Sequence, residues 1–149
     1  MTYGTQWLKD TTKAGVRQLA ADPREFAGQA AALGLQVHRI DIDRVHGKRD
    51  LLALLAKSLQ FPATFGGNWD ALADCLKDLS WTEPAGTAGW VVILERAKHY
   101  AAGHREDFTE AMDVFAEAAD FWRGEGRPFW TFIAGPDGWH SGWPAAPAA

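Results

Sequence analysis

Three carboxylates stand four residues apart in the stretch FPATFGGNWDALADCLKDLSW, which runs from Phe61 to Trp81: Asp70, Asp74 and Asp78. On an α-helix each step of four is roughly 400° of rotation, so the three share one face. Such a row fits a solvated polar face, a docking face for a cationic partner, or ligands for a divalent ion. The metal reading is the weakest. One helical row converges poorly on one ion, and no His or Glu stands within the stretch. Like charges four apart cost a helix about 0.2–0.5 kcal/mol per pair. Only Asp70, in the first turn, is favoured by the helix dipole. Asp74 is mid-helix, Asp78 is near the expected C-terminus, and Lys77 offsets part of the repulsion.

Other residues that could do chemistry fare less well. Cys75 is the sole cysteine, which rules out an intrachain disulfide and a CxxC zinc site. It lies between Leu72 and Leu76 on the apolar side of its helix, so a small buried thiol is expected rather than a nucleophile. His38, His46, His99, His104 and His140 show no metal-binding spacing. Gly66 and Gly67 precede a helix, as in a phosphate cradle. No GxGxxG or GxxxxGK[ST] pattern accompanies them, and Asp70 would repel an anion.

The elements that must position these residues can be read from the pattern. Asp22-Pro23 reads as an N-cap with proline at the first helical position, opening a helix from Pro23 to Leu33 that Gly34 stops. Gly15–Ala20 is a short candidate strand. Leu35–Val45 alternates as a strand, with a phase shift at His38 and Arg39 that suggests a bulge. A leucine stripe over Leu51, Leu52, Leu54, Leu55 and Leu59 predicts a helix closed by Pro62. Asn68 is the expected N-cap of the aspartate helix, which should run to Leu79 and bury Leu72, Cys75, Leu76 and Leu79.

After a TEPAGTAG loop, Trp90–Glu95 is apolar on both faces, as in a buried parallel strand. A short helical piece over Ala97–Ala102 and a long helix over Glu106–Arg123 follow, then a last strand over Pro128–Ala134. The first fifteen residues are expected to be loosely attached, and the tail from Gly135 to be mobile or to lie along the surface. Strands separated by helices imply an α/β fold with a small parallel sheet, of three strands, or four if Gly15–Ala20 is extended. One domain over residues 1–149 is expected, with no internal repeat.

Net charge is −4 and the sequence pI is about 5.7. That argues against a direct nucleic-acid binder and for a neutral or basic partner. No apolar run reaches the roughly 20 residues of a membrane span, and MTYGTQWLKD lacks the features of a signal peptide. A cytoplasmic protein is the expectation. Eight tryptophans are many for 149 residues. Most, including Trp69, Trp81, Trp90, Trp122 and Trp130, fall at positions expected in the core. Trp139 and Trp143 lie in the tail, where packing back on the body is favoured over a second contact site.

The run from Pro62 to Leu76 resembles the barstar family, intracellular inhibitors of small secreted ribonucleases. The resemblance rests on Phe65, Gly66, Asn68, Asp70, Ala71, Leu72, Asp74, Cys75 and Leu76, with support from the preceding leucine helix, from WVVILE, and from VFAEA at Val114–Ala118. It covers residues 35–134 as a barstar-like core, leaving a βα extension at 15–34 and a Gly/Pro/Ala-rich tail at 135–149.

The resemblance implies a non-enzymatic protein without a cofactor, monomeric when free, that plugs the active site of a small basic ribonuclease or ribonuclease toxin. Asp74 would enter the phosphate-binding site as a phosphate mimic. Asp70 and Glu117 would add acidic contacts, and Gly66 and Asn68 would shape the approach. Two positions depart from the family pattern: Thr64 stands where a loop tyrosine is usual, and Ala73 where a large aromatic precedes the aspartate. Phe65 keeps the other loop aromatic, and Trp69 offers compensating area. The alternative is a barstar-like scaffold or regulator with a non-nuclease partner.

Overall fold

The computed structural model describes residues 5–82 and 87–147. Its strands are β1 (Val16–Leu19), β2 (Leu35–Asp41), β3 (Gly89–Glu95) and β4 (Phe129–Ala134). They form one parallel sheet in the order β1-β4-β3-β2. The helices are α1 (Pro23–Ala32), α2 (Lys48–Ser58), α3 (Trp69–Leu76), α4 (Lys98–Gly103) and α5 (Arg105–Gly124). The α/β expectation holds, with the fourth strand present.

The strand order explains the layering. The chain crosses the whole sheet between β1 and β2, then steps back through β3 to β4. Right-handed crossovers in opposite directions must put their helices on opposite faces. Accordingly, Phe26 and Ala30 of α1 pack with Val91, Ile93, Trp130 and Phe132 on one face. Residues of α2, α3, α4 and α5 pack with Trp90, Val92, Leu94, Phe129 and Ile133 on the other. Strands β3 and β4 are covered on both sides, so their runs are continuously apolar.

The same layering removes the expected bulge in β2. Leu35–Asp41 pairs one-to-one with Gly89–Glu95. The apolar phase shifts because the strand changes which side it buries. Leu35 and Val37 face the α1 layer, whereas Ile40 and Ile42 join the opposite core. His38, at the switch, bonds Gln36 Oε1 through Nε2 at 3.0 Å. β2 also ends at Asp41, earlier than the expected Val45.

The N-terminal segment is not loosely attached from Thr5 onward. Short 3-10 turns at Gln6–Lys9 and Thr11–Lys13 bring Leu8 into full burial, and Trp7 packs against Phe26, Trp130 and Phe132. The tail is held as well. Gln18 receives it with both backbone and side chain: its N–H donates to Pro144 O at 2.6 Å, and its carbonyl accepts from Ala146 N at 3.0 Å. Its Oε1 accepts from Ser141 N and Oγ at 2.6 Å, and its Nε2 donates to Trp139 O. Trp139 lies over Gly135, where a Cβ would collide with the indole, and Trp143 packs edge-on against Phe108. Both tail tryptophans therefore pack back on the body. Part of the TEPAGTAG loop, Glu83–Gly86, lies outside the described residues.

Tyr100 is fully buried in the larger core, and its hydroxyl has no partner among the described residues. Burial first, then the charges of Asp107 and Asp50, push its phenol up to about 12. Above pH 10 the unfolded chain releases this proton before the folded one does, so stability falls as pH rises from 10 to 12. Alkaline unfolding monitored against a Tyr100→Phe variant should show a shallower loss over that window in the variant.

Candidate functional site

The site begins where α2 ends. Gln60 turns the chain with φ of 57°, and Pro62 bars further helix. Phe65 N donates to Pro62 O at 2.9 Å, closing a turn. Phe61 meets Phe65 at 5.0 Å and Trp81 at 6.0 Å between ring centroids, and Trp81 Nε1 donates to Leu59 O at 3.1 Å. An aromatic trio thus pins the base of the loop and leaves Thr64, Gly66, Gly67 and Asn68 exposed at its outer side. Gly67 has φ of 70°, a conformation that favours glycine. Gly66 does not: a Cβ there would make only ordinary contacts with Ala71 and Asn68.

Asn68 caps α3 as expected, its Oδ1 accepting from Ala71 N at 2.7 Å. Removing such a cap costs about 0.5–2 kcal/mol. Asn68→Ala should therefore lower the melting temperature by a few degrees, while Asn68→Asp, which keeps the acceptor, should not.

The helix it starts is shorter than expected. α3 ends at Leu76, where Trp122 Nε1 donates to the Leu76 carbonyl at 2.8 Å and Leu79 turns the chain at φ 53°. Leu72, Leu76 and Leu79 are buried, but Cys75 is only half-buried, a correction to the expected burial. Partial burial, then the Asp74 and Asp78 carboxylates, push its thiol up, so little thiolate forms at neutral pH and the nucleophile reading gains nothing. The aspartate ladder is reduced to two rungs. Asp78 lies beyond the helix, its Oδ1 accepting from Ser80 N at 3.3 Å.

Asp70 and Asp74 remain on α3, exposed, with no ion pair among the described residues. Ala73 is half-buried beside Asp74. Trp69 is half-buried, with Lys48 Nζ of α2 5.3 Å from its ring centroid. Glu117, from α5, is brought to the C-terminal end of α3 by a 2.7 Å pair with Lys77 Nζ. Glu117 is solvent-exposed and Lys77 half-buried; so near the surface the pair is worth only about 0.2–1 kcal/mol, and a competing cation can displace it. Lys48 and Lys77 went unread from sequence as contacts, because each pairs across helices.

Phe121 is a further surface residue that the spacing does not single out. It is 41% exposed, the one large hydrophobic so placed among the described residues. It sits four residues after Glu117 and off the buried stripe of Phe108, Met112, Phe115, Ala119 and Trp122. That offset from the stripe was the available signal. Among the described residues there is no cluster of three or more His, Cys, Asp or Glu able to hold a metal, and no helix long and apolar enough to cross a membrane.

A family model described as Barstar (barnase inhibitor) matches residues 35–134, which takes in the loop, α3 and Glu117. The chain belongs to the Barstar family. The Barstar chain is also similar to a solved structure of the Aeropyrum pernix ORC2 protein in ADPNP–ADP complexes, at 15% identity and a TM-score of 0.54. That match covers 83% of this chain but only 35% of the other, and the likeness is one of fold alone. No curated protein matches the chain.

Proposed function

We propose that this Barstar-family chain is a non-catalytic inhibitor of, or immunity protein against, a small basic ribonuclease. The loop residues Thr64, Phe65, Gly66 and Asn68, with Trp69, Asp70, Ala73 and Asp74 of α3 and Glu117 of α5, form the surface that blocks the active site. The observation that carries the reading is the state of Asp70 and Asp74. Both carboxylates are exposed and unpaired on one side of a helix whose other side is buried through Leu72 and Leu76. A ribonuclease site must hold a polyanion and so concentrates cations, and two free carboxylates on a rigid helix complement it. The protein would act in the cytoplasm to protect the producing cell, as a monomer until it meets its target.

The second reading, a scaffold for a non-nuclease partner, draws on the small side chains of Thr64 and Ala73 and on Lys77, which places a cation among the carboxylates. Capture from lysate and culture medium, with wild type beside the Asp70→Ala/Asp74→Ala double variant, separates the two. The inhibitor reading requires a basic protein held by wild type only, which cleaves RNA when released and is silent when bound. A partner held equally by both, or one without nuclease activity, would replace it with the scaffold.

A further inference from the structure

In an open α/β sheet, ligands settle in the crevice beyond the carboxyl ends of the strands, where the chain leaves nearby strands for opposite faces. This fold has such a place. After β1 the chain turns to α1 on one face, and after β3 it turns to α4 on the other. The end of β4 lies between β1 and β3. A cavity of about 970 Å³ opens there. Pro23 at the start of α1, Ala102 and Gly103 of α4, and Ala134–Pro136 at the end of β4 supply its apolar walls. None of its lining residues belongs to the proposed inhibitory surface.

The charges around the crevice are unevenly satisfied. Its two acids are already paired: Arg39 Nη2 donates to Glu95 Oε1 at 3.0 Å, and Arg96 bonds both Asp41 oxygens while Nη1 lies 3.5 Å from Asp43. Its other polar side chains, Lys98 and His99, have no hydrogen-bond or ion-pair partner among the described residues and are exposed at the rim. The chain also bends sharply between β3 and these two residues. Arg96 holds φ of 52°. Gln60 and Leu79 adopt the same conformation, but just after helices, where it is a common terminator. Arg96 follows a strand, and left-handed non-glycine residues of that kind concentrate at ligand sites.

We infer that this crevice binds a small organic anion, a carboxylate or phosphate ester with an apolar body. The body lies against Pro23, Ala102 and Pro136, and the anionic group meets Lys98 and His99. This inference does not depend on the inhibitor reading.

The test is NMR titration of the full ¹⁵N-labelled chain with phenyl phosphate, with benzoate, and with the uncharged benzyl alcohol. Saturable shifts at the amides of residues 96–103, Ala134 and Gly135 are expected for one or both anions. Affinity should be at least tenfold weaker for benzyl alcohol and for the Lys98→Ala/His99→Ala variant. Ala102→Phe, which fills the crevice, should abolish the shifts. The relative strength of the two anions separates a phosphate ligand from a carboxylate. No saturable shifts at millimolar ligand, shifts centred elsewhere, or equal binding by the alcohol or by the double variant would overturn the assignment.

Discussion

Asp74→Ala should leave the fold intact and weaken binding of the target ribonuclease by about thirty- to several-thousand-fold, the equivalent of about 2–5 kcal/mol. The barnase–barstar complex, whose inhibitor belongs to this same family, is the precedent for that range. The two halves of the prediction come from one arrangement. In the free protein Asp74 makes no ion pair among the described residues, and it stands four residues from Asp70 on α3. Its removal relieves about 0.2–0.5 kcal/mol of repulsion and substitutes a better helix former, so the melting temperature should hold or rise slightly. In a complex the same carboxylate would be desolvated against cations, and truncation would leave those cations buried and unmatched.

Glu117→Ala should cost much less, because Glu117 must first release Lys77. Calorimetric titration of both variants, with a thermal melt of each, checks the order. A large drop in the melting temperature of Asp74→Ala would make that residue structural and remove it from the docking surface.

The sequence showed the α3 surface better than it showed the molecule around it. Loop, N-cap and exposed aspartates are local features, set by residues within a few positions of one another, and Asn68 caps α3 as its type and place predict. The misjudged features are those decided at long range. The spacing in β2 reads as a bulge because a single strand cannot reveal that its neighbours lie on one face at Leu35 and on the other at Ile40. Leu79 continues the apolar spacing, so spacing alone carries α3 past its end at Leu76. What stops the helix at Leu76 is Trp122, a residue forty-six positions away, bonding the Leu76 carbonyl. Cys75 fell on the leucine side by spacing alone, yet the core closes over Leu72 and Leu76 and leaves the thiol half-covered. Trp7 and Leu8 sit in a polar, Thr-rich opening without periodicity, and nothing local marks them as core.

Those two residues owe their place to Trp130, and replacing it should be the most damaging single change in the smaller core. Trp130 is fully buried in β4. Its ring stacks on Phe132 at 5.5 Å and takes the edge of Trp7 at 5.1 Å, and its Nε1 donates to the Leu8 carbonyl at 2.7 Å. Loss of a buried Trp or Phe side chain to alanine costs about 3–5 kcal/mol, and an orphaned buried acceptor about 1–3 kcal/mol more. For a chain of this size each kcal/mol is worth roughly 2–4 °C, so Trp130→Ala should lower the melting temperature by about 10 °C or more. Trp130→Phe separates the two contributions, because it keeps most of the ring contact and deletes only the bond to Leu8. If the N-terminal segment is integral to the core, Trp130→Phe should fall clearly below wild type and expose the Lys9 and Lys13 region to trypsin before global unfolding. A Trp130→Phe variant as stable and as protease-resistant as wild type would mean that the segment merely rests on the sheet.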